Sequence, residues 1–98
     1  MTAAGASYLK LTVSPLAKMG KEISAIVEAS NVSETLVELN APDTVLISQP
    51  HRQIVGKGTF KRKIAWLVEH VQGGAPTTVE INVSAGSLNQ TGLCRIIE

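Results

Sequence analysis

TFKRKIAWLV, residues 59–68, reads as a β-strand. Phe60, Ile64, Trp66 and Val68 share one parity, so an extended chain places them on one face. A turn signal, GGAP at 73–76, closes the run. TVEINVS at 78–84 then alternates again, with Val79, Ile81 and Val83 on one side and Glu80, Asn82 and Ser84 on the other. Short alternating runs separated by turn residues are the pattern of an all-β sandwich or barrel.

The same pattern extends outward in both directions. Residues 7–13 alternate, with Leu9, Leu11 and Val13 inward and Tyr8, Lys10 and Thr12 outward. Residues 14–20, with Pro15 and Gly20, read as a loop. Residues 22–29 put Ile23, Ala25, Val27 and Ala29 on one face, and 31–33 read as a turn. A strand over 34–39 has broken parity at Leu36 and Val37. Pro42 and Asp43 mark a turn, 44–48 a short strand, 49–57 a polar connection, 59–70 the longest strand, 77–84 the next, 85–92 a loop, and 93–97 the last. The expectation is a seven-stranded, immunoglobulin-like antiparallel β-sandwich with Greek-key connections, in which 49–58 and 85–92 are crossings or end loops. Its single core holds Ile23, Ala25, Val27, Ile64, Trp66, Val68, Val79, Ile81 and Val83. Residues 1–6 read as a linker, and 7–98 as one domain, near the roughly 100 residues of such a sandwich.

Composition excludes several function classes. The net charge is +1 and aromatic residues are 3%, so there is neither the basic footprint of a nucleic-acid binder nor the rings to stack bases. No apolar run approaches the ~20 residues that span a bilayer as a helix. The N-terminus lacks the basic and apolar regions of a signal peptide and reads as the start of a domain cut from a longer protein. Charged residues are 17%, below the usual about 25%, which leaves a neutral polar surface. Cys94 is the only cysteine; it rules out an internal disulfide and reads as a buried, inert thiol.

No residue is assigned a catalytic, cofactor-binding or metal-ligating role. Asp43, the one aspartate, sits in a turn, and His51 and His70 stand apart from any second ligand at metal spacing. GKGT at 56–59 lacks the Lys-Ser/Thr step and following helix of a phosphate loop. Lys57, Lys61, Arg62 and Lys63 form a basic cluster that alternation divides between two faces; it reads as a solvated strand whose charges discourage edge pairing. Trp66 reads as a core anchor. Three of four asparagines, Asn31, Asn82 and Asn89, carry the N-glycosylation acceptor pattern, as a surface protein in a glycosylating host would.

LTVSP at 11–15 with GKEISAIVEASN at 20–31, VELNAP at 37–42, GTFKRKIAW at 58–66 and the strand at 78–83 resemble, in order, the immunoglobulin-like adhesion modules of bacteria and archaea, the CARDB and NEW3-like group. The resemblance covers most of residues 9–84 and departs from the group at the wide gap 49–57. It implies a seven-stranded sandwich without catalysis, found in tandem in surface or secreted proteins. The expected function is a non-enzymatic adhesion or spacer module of a larger cell-surface or secreted protein, needing no cofactor. Its localisation would be extracellular or in the cell envelope, as part of a longer precursor. The alternatives are an accessory domain of an extracellular enzyme, packed on a catalytic domain or binding carbohydrate, and a cytosolic sandwich used for oligomerisation. The expected partners are neighbouring domains of the same parent protein, or another protein, met through an edge strand or the end loops.

Overall fold

The computed structural model describes residues 6–73 and 77–97. Most of the expected linker 1–6 and of the break 73–76 lies outside them. Eight strands form: β1 Tyr8–Val13, β2 Leu16–Lys18, β3 Glu22–Asn40, β4 Val45–Leu46, β5 Arg52–Leu67, β6 His70–Val71, β7 Thr77–Ala85 and β8 Leu88–Ile97. The described residues contain no helix. Six strands make one sheet in the order β1-β3-β7-β8-β2, with β5 also paired to β3; β4 and β6 form a separate two-stranded ribbon. All pairings are antiparallel except β2 with β8. The protein is therefore all-β, built on a curled mixed sheet rather than a purely antiparallel one.

The curl originates in β3 and β5. Residues 22–29 and 34–39, expected as two strands about a turn at 31–33, are parts of one nineteen-residue strand. Its first half lies between β1 and β5, and its second between β7 and β5. Between the halves the register slips three times. Ala29 to Val32 spans three steps against two from Phe60 to Gly58, Val32 to Thr35 again three against two from Gly58 to Gly56, and the third slip reverses the count. Such bulges bend a strand and increase its twist without ending the ladder. Asn31 supplies a left-handed residue (φ 53°) and Gly58 another (φ 79°); Asn and Gly are the residues for which that conformation costs least. The bend in β5 is sharp. The Arg62 guanidinium donates to the Val55 carbonyl at 3.2 Å, although seven residues of extended strand cover about 23 Å. The Phe60 ring lies so near Gly56 that a Cβ there would sit 3.0 Å from it.

Folding the ribbon over this corner encloses one core. All nine residues expected there are buried, and Val37, Leu39, Val55, Cys94 and Ile96 join them. The first two slips each add a single residue to β3 and the third adds one to β5; the odd residues of β3 stay inward on both sides of the corner, whereas β5 changes parity, from Val55 to Ile64, Trp66 and Val68. β1 comes to face β8, and the Val13 methyl occupies the space a side chain at Gly92 would need. Trp66, 1% exposed, donates its indole N–H to the Pro50 carbonyl at 3.0 Å, and buried Thr35 donates to the Ser33 carbonyl at 3.1 Å. Among the described residues no buried side-chain polar atom is left without a partner.

Three segments expected as loops contain strands. Residues 85–92 hold only a two-residue turn, Gly86 and Ser87, because Gly86 adopts φ 61° and lets Ala85 pair directly with Leu88. The connection 49–57 ends at His51, where β5 begins with its exposed, polar first turn of the ladder. Within the expected loop 14–20, Leu16–Lys18 pair in parallel with Arg95–Ile97 between the breakers Pro15 and Gly20. Most of 49–58 and of 85–92 is thus strand rather than loop.

Candidate functional site

The residues with chemical potential are dispersed by this fold. His51 donates its Nε2–H to the Ile47 carbonyl at 2.7 Å, which holds the turn into β5. His70 is exposed on β6, paired with Leu46. Asp43 is exposed in the turn before β4. Among the described residues no three His, Cys, Asp or Glu side chains gather where a metal ion could be held. Cys94 is fully buried, and burial pushes its thiol up from the ordinary range, with a smaller opposing effect from the Ser14 hydroxyl 4.0 Å away. That thiol stays protonated and shielded at neutral pH, the opposite of a reactive cysteine.

The segment 56–59 forms the inner side of the corner in β5 rather than a cradle for phosphate. The basic cluster divides as alternation requires. Arg62 turns back to Val55, while Lys61 and Lys63 stand exposed on the outer face opposite Glu28 and Ile26 of β3. Glu28 is flanked by Lys10 as well and accepts from the Tyr8 hydroxyl at 3.1 Å. That bond and the carboxylate charge raise the Tyr8 pKa.

Of the glycosylation patterns, Asn82 is committed. Its amide donates to Glu80 at 2.8 Å, and its carbonyl accepts from Thr91 at 2.6 Å, in the middle of the β3-β7-β8 face. Asn31 lies in the corner, where Ser7 donates to its carbonyl at 2.6 Å. Asn89 is exposed one residue into β8.

An open groove of about 610 Å³ lies at the corner end, lined by Glu34, Leu36, Arg52, Gln53, Ile54, Ser84 and Gly86. Sequence reading did not anticipate it, because its walls come from β3, β5 and the β7–β8 turn. It holds one carboxylate and one guanidinium on a shallow surface, with no histidine or thiol to pair with Ser84.

The sheet edges are the other feature. Among the described residues, β5 has a strand partner on one side only. Opposite it, the first half of β8 lacks a neighbour beyond β7 until β2 joins at Arg95. Comparison with protein-family models and with curated proteins gives no match.

Proposed function

We propose that this protein is a non-catalytic structural or interaction module, a spacer or adhesion domain of a larger cell-surface or secreted protein, with an immunoglobulin-like sandwich fold. The fold reading rests on the neighbours of each half-strand. β1, the first half of β3 and the second half of β5 form one layer. The first half of β5, the second half of β3, β7, β8 and β2 form the other. In this description two ordinary strand pairs have been fused across the corner, so that β3 and β5 each serve both layers. The similarity to CARDB and NEW3-like modules noted in the sequence agrees with that arrangement.

The single observation that carries the functional reading is the position of the first and last strands. Tyr8 pairs with Ser30, beside the corner. The Ile97 carbonyl accepts from Met19, beside the start of β3. Ser30 is eight residues, about 26 Å of strand, from Glu22. The chain thus enters at one end of the long axis and leaves at the other, as a link in a string of domains does. The neutral polar surface and the acceptor pattern at exposed Asn89 support an extracellular or envelope setting. The reading as an enzyme accessory draws on the open groove by Arg52 and Ile54. A sugar platform has little support, since Trp66 is internal and Phe60 half-buried.

A tandem fusion of two copies tests the reading by small-angle scattering. An in-line module gives a maximum dimension near twice that of one copy, and a compact, side-by-side particle contradicts it. Turnover of any hydrolase substrate that is lost on His51→Ala or His70→Ala, with the fold intact, contradicts the non-catalytic part.

A further inference from the structure

The open edge of β5 is polarised, and its backbone phase can be fixed from neighbouring bonds. In an antiparallel ladder the N–H and C=O of one residue point to the same side, and successive residues alternate. Ser24 of β3 directs both groups to Ser14, on the β1 side: its N–H donates to the Ser14 hydroxyl and its carbonyl accepts from the Ser14 N–H. Its partner Ala65 therefore directs both groups away from β3. The Leu67 N–H agrees, since it is taken by the side-chain carbonyl of Gln49 rather than by β3. The Val68 N–H, of opposite parity, donates to Lys21 on the β3 side. The register from Phe60 to Leu67 is unbroken, so Lys61, Lys63 and Ala65 all present N–H and C=O outward. Gln49 closes this row at one end and the corner closes it at the other.

We propose that this stretch, Lys61 to Ala65, is a strand-addition site for an extended acidic segment of a partner protein. Strand addition draws affinity from main-chain hydrogen bonds and specificity from alternate side chains. Here the alternate side chains beside the open groups are Lys61 and Lys63, and no carboxylate occurs anywhere in β5. Glu28, the carboxylate opposite Lys61, is shared with Lys10 and Tyr8. A strand with Glu or Asp at alternate positions would meet both lysines. A second copy of β5 would set lysine against lysine, so the same charges that admit an acidic strand reject self-pairing. This inference deepens the interaction reading above and rests on it.

The test is a titration of the ¹⁵N-labelled protein with a seven-residue peptide in which glutamate alternates with valine, followed by amide spectra and hydrogen exchange. The expected result is shifts centred on 60–66 and slowed exchange at Lys61, Lys63 and Ala65. Lys61→Glu with Lys63→Glu should weaken binding about tenfold or more, from the loss and reversal of two exposed charge pairs. Lys63→Pro removes an outward donor without touching the β3 ladder, because proline is tolerated on an edge; it should also abolish the protection, with core amides unchanged. Silence at 60–66, an equal response to the lysine counterpart of the peptide, or the same shifts with a sulfated polysaccharide would each overturn the proposal. None of these results alters the scattering of the tandem fusion, so failure here and failure of the spacer reading remain separate.

Discussion

Removing the Trp66 indole empties the largest of the fully buried side-chain sites and leaves the Pro50 carbonyl without its donor. Trp66→Ala should lower stability by about 3–5 kcal/mol in urea denaturation, the range for deleting a large buried aromatic. The native protein should show a blue-shifted indole emission that moves red on unfolding. Glu69 gives a pH prediction. The Ser48 hydroxyl, and after it the Ser48 N–H that donates to the carboxylate at 2.7 Å, hold it below the ordinary carboxylate range. A depressed folded-state pKa contributes stability above the unfolded value, and that contribution is lost as pH falls through the folded one. Glu69→Gln should therefore lower the midpoint at neutral pH and flatten the acid side of the stability profile below about pH 4.3, the unfolded carboxylate value. A parallel acid limb in wild type and variant would contradict the assignment. Residue identities of this sort were partly legible: parity placed Trp66 and its eight companions correctly. The Ser48–Glu69 bond was not legible, because it links a loop to a residue 21 positions away.

At the scale of the element, the corner explains what sequence reading missed. Asn31 was read within a turn and Gly58 within a connection, and both adopt left-handed backbone. A turn and a bulge use the same residues, however, and only the partner strand decides between them. Because β5 bends in step, the β3 ladder continues through the corner and one strand replaces two. The start of β8 was hidden for another reason. Asn89, Gln90 and Thr91 are polar on both faces because that part of the strand is an exposed edge, which lacks the alternation that betrays a half-buried strand. Gly92 is the element-scale test. A Cβ there would overlap the Val13 Cγ2, and backbone or side chain must move to relieve it. Gly92→Ala should cost about 1–3 kcal/mol, the usual range for overpacking. Val13→Ala should recover much of it, giving a favourable coupling in a double-mutant cycle read by thermal denaturation. Additive losses would mean that β1 and β8 do not meet.

On the scale of the whole molecule, the fold is one ribbon turned over its own corner, with β1 and β2 continuing from one face to the other across Ser14 and Pro15. That path gives a single core and two opposite ends. The open groove at the corner end follows from it, as does the free edge of β5. The arrangement could not be read from local patterns, because it depends on which half of β3 each neighbour joins. The most direct measurement is a nuclear Overhauser contact between the Val13 methyls and the Gly92 α-protons, in protein labelled at valine methyl groups. The curled sheet predicts a strong cross-peak, accompanied by Phe60 ring contacts to the Gly56 α-protons. A folded protein that keeps the β3–β5 ladder but lacks the Val13–Gly92 contact would be an open ribbon, and the account would be wrong.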